Sequence, residues 1–112
     1  MKVIIKKIDP QYFDDVVSGE KKFEIRKDED DAKLGDLLIL REYKDGKYTG
    51  NITMKQINYI LSNAEKYGLK KGYVIYGIGG ISSGWFTGVG FMEAIGKAIE
   101  AAERGRKWKK LK

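Results

Sequence analysis

Alternating apolar and polar positions predict five β-strands within the first 79 residues. A strand turns successive side chains to opposite faces, so such alternation indicates a sheet with one face against a core. The runs with this character cover residues 3–8, 22–26, 37–43, 52–61 and 73–78. The third run begins with four consecutive apolar residues, Leu37 to Leu40. It therefore predicts a central strand that is buried on both faces.

A short helix is predicted between the first two strands. Asp9 can cap the free backbone amides at its start, and Pro10 suits the first helical position. Gly19 is a suitable C-terminal stop. The spacing i, i+3 and i+4 that makes an apolar helix face is supplied by Phe13, Val16 and Val17.

Two local signals predict how the third and fourth strands are shaped. Asp45 and Gly46 form the residue pair of a tight hairpin, which would bring Tyr43 near Tyr48. In the fourth strand the apolar residues change parity along the run: Ile52 and Met54 share one parity, and Ile57, Tyr59 and Leu61 share the other. A single bulge near residues 55–56 would reconcile them, and such bulges are common where sheets curl.

The second strand carries the candidate site. Phe23 and Ile25 alternate with Lys22, Glu24 and Arg26, so the apolar pair is predicted to face the core and the ionic residues the other side. We expect the ionic side to line a concave pocket roofed by tyrosines. The alternative is a charged strand face that is merely solvated, which is the commoner arrangement.

This strand and its surroundings resemble the ASCH domains, which are small PUA-like β-barrels. The run G-x-K-x-x-E-x-R, from Gly19 to Arg26, matches their signature. Residues 8–13, 35–43, 48–50 and 72–78 extend the similarity to one uncharacterised branch found in phage and bacterial genomes. The resemblance covers roughly residues 1–79. Together with the strand pattern it implies an α+β fold: a mixed barrel of about five strands with one N-terminal helix and a C-terminal helix.

The resemblance and the chemistry of the motif both favour binding of single-stranded RNA or a nucleotide. Arg26 can take a phosphate or stack on a base, Glu24 can accept from an exocyclic amine, and Lys21 or Lys22 adds positive charge. Unpaired bases also need aromatic surfaces to stack on. The candidate stacking residues are Tyr12, Tyr43, Tyr48 and Tyr59.

A second hypothesis is catalytic. One bacterial ASCH branch is an amidohydrolase on acylated cytidine and uses the motif lysine, a threonine three residues later and a distant glutamate. Lys21 matches the lysine, whereas Glu24 stands at the threonine position and the distant acid has no convincing match. If this chain is an enzyme, Lys21 and Glu24 are the candidate acid–base pair for hydrolysis of a modified nucleoside.

Composition limits the other possibilities. The chain has 112 residues and contains neither cysteine nor histidine, which excludes disulfides, thiolate chemistry and the usual zinc ligands. No apolar run is long enough to span a membrane and no signal peptide is evident, so we expect a cytoplasmic protein. Four consecutive acids at residues 28–31 lack the spacing of a calcium loop. They predict a solvated loop neutralised by Arg26, Lys27 and Lys33, and we expect no metal or cofactor.

The remaining residues form two further predicted regions. Residues 80–90 are a glycine-rich connection, and residues 91–112 predict a helix followed by a basic tail. Of the net charge of +6, residues 1–79 account for +2 and residues 80–112 for +4. The helix face contains Phe91, Ile95, Ala98, Ile99 and Ala102, and the tail candidates for nucleic-acid contact are Arg104, Arg106, Lys107 and Trp108. A third hypothesis is therefore a protein-interaction module that uses this helix. The alternatives are a helix that packs on the barrel, which is the commoner outcome, and a disordered tail that only adds solubility.

Overall fold

A computed structural model describes residues 1–82 and 95–101 of the chain. Residues 1–81 form one compact unit, and the second unit begins at Ser82. In the second unit, residues 95–101 are α-helical. The predicted glycine-rich connection beyond residue 82 and the tail candidates Arg104, Arg106, Lys107 and Trp108 lie outside the described residues. Within the described ranges, no helix combines the length and the apolar character that crossing a membrane requires.

The first unit is a small α+β fold whose five strands form a curled half-barrel. The elements in chain order are β1 (Val3–Ile8), α1 (Pro10–Ser18), β2 (Phe23–Lys27), β3 (Leu37–Lys44), β4 (Lys47–Leu61), a short 3₁₀ helix (Glu65–Tyr67) and β5 (Tyr73–Gly79). The sheet order is β1-β3-β4-β5-β2, with β1 parallel to β3 and every other pair antiparallel. Strands β1 and β2 are consequently the two edges of the sheet.

The core forms around β3, as its uninterrupted apolar run predicts. Residues 37–40 are fully buried, and the strand lies between β1 and β4. Burying the apolar surface of four such side chains stabilises the fold by on the order of 10 kcal/mol. Leu38 and Leu40 belong to one core cluster with side chains from β1, α1, β4 and β5: Ile4, Ile8, Phe13, Val16, Ile57, Val74, Tyr76 and Ile78.

Helix α1 has the predicted ends and most of the predicted face. Asp9 accepts a hydrogen bond from the Gln11 amide at 3.4 Å, and Gly19 adopts φ 85° and donates to the Val16 carbonyl at 3.2 Å. Phe13 and Val16 are buried. Val17, predicted on the same face, is 51% exposed. A helix of nine residues buries only a narrow stripe, and Val17 lies at the margin of that stripe.

The β3–β4 hairpin closes as predicted, but the bulge lies further along β4. Asp45 and Gly46 have φ values of 50° and 80°, which suit a type I′ turn, and Tyr43 pairs with Tyr48. Lys55 and Gln56 pair in regular register with β3, so the bulge predicted there is wrong. The register instead shifts at two other places: opposite Arg41 to Tyr43 of β3, and between Ile57 and Tyr59, where β4 faces β5 and Asn58 is the extra residue.

The displaced bulge explains why a glycine lies opposite it on β5. A Cβ atom added at Gly77 would lie 2.8 Å from Asn58 Oδ1 and 2.9 Å from Tyr59 Cβ. Side-chain atoms of the bulged segment thus occupy the space that a Cβ atom at position 77 would need. Parity alone could not locate the bulge, because it depends on how β4 fits β5 rather than on the sequence of β4.

The acidic loop, residues 28–31, is neutralised mainly by Lys6 of β1, together with one of the predicted neighbours, Lys33. Lys6 Nζ lies 2.9 Å from Glu29 Oε1 and 2.6 Å from Asp30 Oδ2, and Lys2 Nζ donates to the Asp31 carbonyl at 2.7 Å. Of the predicted partners, Lys33 does pair with the loop, at 3.0 Å from Asp31, whereas Arg26 pairs elsewhere. In the part of the chain described here, no cluster of three acidic side chains is arranged to hold a metal.

The loop thereby joins the two edge strands, and its ion pairs with Lys6 stabilise the fold over a limited pH range. Burial of the Lys6 ammonium works to lower its pKa, but the hydrogen bonds and charges of Asp30 and Glu29 outweigh it. The pKa of Lys6 thus lies above the ordinary 10.5. The hydrogen bond from Lys6 holds the pKa of Glu29 below the ordinary 4.5. The Lys6 contribution is complete below pH 10.5 and is lost as pH rises through the folded pKa, whereas the Glu29 contribution is lost as pH falls below 4.5.

Replacing Lys6 with methionine is therefore expected to lower the free energy of unfolding by about 1 kcal/mol at neutral pH. The difference from wild type should stay constant between roughly pH 5 and 10 and shrink outside that range. Urea unfolding across pH measures it. Lys33→Met removes a pair whose side chains are 71% and 84% exposed, and should leave stability almost unchanged. Equal effects of the two substitutions would contradict the structural role of Lys6.

Candidate functional site

A cavity of about 480 Å³ opens where the half-barrel fails to close. We call it the edge cavity, because its walls come from the edge strands β1 and β2 and from the start of α1. Its volume is within the range of about 300–1,000 Å³ that is usual for ligand pockets. Its lining residues are Lys7, Ile8, Asp9, Tyr12, Lys21, Phe23, Glu24, Ile25 and Arg26.

Glu24 is the structural centre of this cavity. Its carboxylate is 5% exposed, and each oxygen accepts from a different cation. Lys21 Nζ donates to Oε1, while Arg26 donates to Oε2 through Nε at 3.1 Å and Nη2 at 2.7 Å. A buried carboxylate is tolerated only when paired and hydrogen-bonded, and both conditions are met here.

The orientation of β2 is opposite to the one predicted from its apolar residues. Phe23 and Ile25 are 45% and 48% exposed, whereas Glu24 is 4% exposed. The pairing with β5 explains this, since Glu24 lies opposite Tyr76 and Arg26 opposite Val74, on the face that β5 buries. The prediction that Phe23 and Ile25 face the core was wrong. The separate expectation that the ionic side lines a cavity agrees with the positions of Glu24 and Arg26.

The two cations flanking Glu24 keep part of their surface exposed. The Lys21 and Arg26 side chains are 16% and 20% exposed. Arg26 uses Nε and Nη2 for Glu24, and within residues 1–82 its Nη1 has no acceptor. Lys21 Nζ also donates to the Phe23 carbonyl at 2.7 Å. It lies 4.8 Å from the Phe23 ring centre and 5.4 Å from that of Tyr12, which are cation–π distances.

Tyr76 is a buried neighbour of the site that sequence analysis did not identify. It is fully buried, and its hydroxyl has no hydrogen-bond partner within the described part of the chain. Burial raises the pKa of Tyr76 above 10.0, and the charges of Asp30 and Asp28 raise it further. The phenol is therefore neutral at physiological pH. The sequence pattern placed Tyr76 in the fifth strand and gave it no role at the site.

The four tyrosines that were predicted to stack on bases do not line one common cavity. Tyr12 lines the edge cavity and is 44% exposed. Tyr43 lines an adjoining second cavity, and its ring lies against Tyr48 with centroids 5.0 Å apart. Tyr59 is 62% exposed and lies outside both cavities. A roof of tyrosines over one pocket is therefore not formed: Tyr12 is the one predicted stacking tyrosine that lines the edge cavity within the described chain.

The basic residues predicted for the site do not all line the edge cavity. Lys21 and Arg26 line the edge cavity, but Lys22 is exposed and lies outside it. Lys7 and Asp9 line the cavity, although sequence analysis gave them no site role. Lys7 is nearly at the end of β1, and it comes near β2 because the curled sheet brings its two edge strands to the same cavity. No local sequence signal could have identified it.

The predicted acid–base pair is present as an ion pair. Lys21 and Glu24 are in direct contact, and the second Glu24 oxygen is engaged by Arg26. The arrangement fixes Arg26 at the cavity wall with its remaining N–H groups turned away from Glu24. Chemically, it is best suited to holding an anionic or hydrogen-bond-accepting ligand beside aromatic rings.

Comparison with known proteins identifies a family for this part of the chain. No curated protein matches it. A family model described as a domain of unknown function, DUF3850, matches residues 5–78. The matched residues include the candidate site and all of β2, β3 and β4. They also include β1 from Ile5 onward and β5 up to Ile78. The chain therefore belongs to the DUF3850 family.

Proposed function

We propose that the edge cavity binds single-stranded RNA or a nucleotide, and that the domain is a PUA-like barrel of the ASCH type. The observation that carries the proposal is Arg26. Glu24 holds its guanidinium at the cavity wall, and Nη1 has no acceptor within residues 1–82. A guanidinium fixed in this way loses little conformational entropy when it binds a phosphate or a base edge.

Aromatic rings beside Arg26 supply the second requirement of nucleotide binding. Tyr12 and Phe23 line the same cavity, and both rings are nearly half exposed. Stacking of a base on such a ring contributes about 1–3 kcal/mol and tolerates any base. Lys21 lies within cation–π distance of both rings and can add a charge contact to a phosphate.

The charge of the cavity predicts few phosphate contacts. Its lining has three basic side chains, Lys7, Lys21 and Arg26, and two acidic ones, Asp9 and Glu24. With Glu24 neutralised, two phosphates at most are expected to be contacted. Binding should therefore depend on stacking and on a few directed hydrogen bonds rather than on a broad basic surface.

A fluorescence anisotropy titration of the full chain tests this function. The probe is a labelled single-stranded RNA of about eight nucleotides with random sequence, and the matched DNA is compared. For two phosphate contacts the affinity should fall about sevenfold between roughly 50 and 200 mM salt, a log–log slope near −1.4. Absence of binding at the lower salt would overturn the proposal. A slope of about −4 or steeper would assign binding to the basic tail instead.

The hydrolase hypothesis has weaker support from the same geometry. A general base needs a lone pair within reach of a substrate proton. Both oxygens of Glu24 already accept from cations, and Lys21 donates to Glu24 and to the Phe23 carbonyl. These contacts favour a holding role for the pair over a proton-transfer role.

A further inference from the structure

A second cavity of about 410 Å³ adjoins the edge cavity. The two share Lys7, Ile8 and Asp9, so they lie on either side of the end of β1. The other residues that line the second cavity come from the first helical position and from the β3–β4 hairpin: Pro10, Tyr43, Lys44 and Asp45. The two depressions therefore form neighbouring parts of one surface.

Tyr43 gives the second cavity a rigid aromatic wall. Its ring contacts Tyr48 in a T-shaped arrangement, with centroids 5.0 Å apart and an angle of 73° between the planes. The Arg41 guanidinium lies 3.9 Å from the centre of the Tyr48 ring, on the same hairpin. Packed in this way, Tyr43 has little rotamer freedom left to lose when a ligand ring stacks on it.

Lys7 is placed at the junction of the two cavities. Its ammonium lies 4.2 Å from the centre of the Tyr43 ring and has no carboxylate partner within residues 1–82. It differs in this from Lys21 and Lys6, whose charges are neutralised by Glu24 and by the acidic loop. A cation on the shared wall of two cavities is suitably placed for an anion that joins their occupants.

We propose that the two cavities hold neighbouring bases of one strand. In this arrangement the first base lies beside Arg26 and Tyr12, and the second base stacks on Tyr43. Lys7 contacts the phosphate that links the two. The preferred ligand is then an oligonucleotide of at least two units rather than a mononucleotide. This inference rests on the proposed function of the edge cavity and narrows its ligand class.

Competition against the labelled RNA tests the second cavity. The competitors are an equimolar mixture of ribodinucleotides and an equimolar mixture of ribonucleoside monophosphates. Dinucleotides should compete at least about fivefold better than mononucleotides with the wild-type chain, because one further stacked base is gained. Tyr43→Leu should remove that advantage, because the second base loses the ring on which it stacks. Tyr59→Leu, which changes an exposed tyrosine outside both cavities, should behave as wild type.

The outcomes separate the two proposals. If the labelled RNA does not bind at all, the proposed function fails and this inference fails with it. If RNA binds but dinucleotides compete no better than mononucleotides, only the second cavity is excluded. Should Tyr43→Leu fail to fold, Lys7→Met replaces it, since Lys7 is exposed and has no ion pair in the described chain. That variant should flatten the salt slope by about 0.7, and an unchanged slope would overturn the inference.

Discussion

Replacing Glu24 with alanine is expected to lower the free energy of unfolding by about 3 kcal/mol, the largest change in stability anticipated in this domain outside its apolar core. The carboxylate is almost completely buried, and both oxygens are ion-paired. Its removal leaves two cations, Lys21 and Arg26, largely withdrawn from water with no counter-charge between them. Urea unfolding followed by circular dichroism measures the change.

Glu20→Ala is the matched control for this prediction. Glu20 is an exposed acid four residues earlier, and its side chain makes no ion pair among the described residues. Its loss should change stability by less than about 0.5 kcal/mol. Glu24→Gln should lie between the two, because the amide keeps the volume but accepts from only one cation. A change for Glu24→Ala no larger than that for Glu20→Ala would show that Lys21 and Arg26 recover their hydration by turning outward.

The elements that could be predicted are those whose signals are local in sequence. The apolar run of β3, the Asp9–Pro10 start of α1 and the Asp45–Gly46 turn each specify a conformation within a few residues. Capping, turn chemistry and apolar periodicity need no partner from a distant part of the chain. These features were predicted with the correct type and nearly the correct bounds.

The features that were missed depend on strand pairing between distant segments. The face that β2 buries is set by its register on β5, which begins about 50 residues later, and this register reverses the simple rule that apolar residues face inward. The position of the β4 bulge and the partners of the acidic loop are fixed in the same way. An apolar residue on an edge strand can remain exposed at small cost, whereas a paired carboxylate can be buried.

The reversed orientation of β2 determines the character of the candidate site. Had Phe23 and Ile25 filled the core, the ionic residues would lie on an open, solvated surface and Arg26 would be mobile. In the observed register the ion pairs are withdrawn from water, where they are stronger and more ordered than on the surface. The exposed Phe23 ring becomes part of the cavity rim instead of the core.

Replacing Arg26 with alanine is expected to weaken RNA binding at least tenfold. A charge-assisted hydrogen bond to a ligand contributes about 1.5–3 kcal/mol, and a tenfold change in affinity corresponds to about 1.4 kcal/mol. The log–log salt slope should also become shallower by about 0.7 if the guanidinium contacts a phosphate. Arg26→Lys keeps a counter-charge for Glu24 but lacks the planar fork, so it should lose several-fold in affinity with a smaller loss of stability.

Lys27→Ala is the control that shows whether RNA binds in the edge cavity or through the overall positive charge of the protein. Lys27 is the next residue along β2, is exposed, and lies outside both cavities. If RNA is held in the edge cavity, losing this cation should change affinity less than about twofold at roughly 200 mM salt, where exposed charges are screened beyond about 7 Å. If the two alanine variants weaken binding equally, affinity comes from overall positive charge. Arg26 would then be only the structural partner of Glu24, and the ion pairs in the cavity would be explained by folding alone.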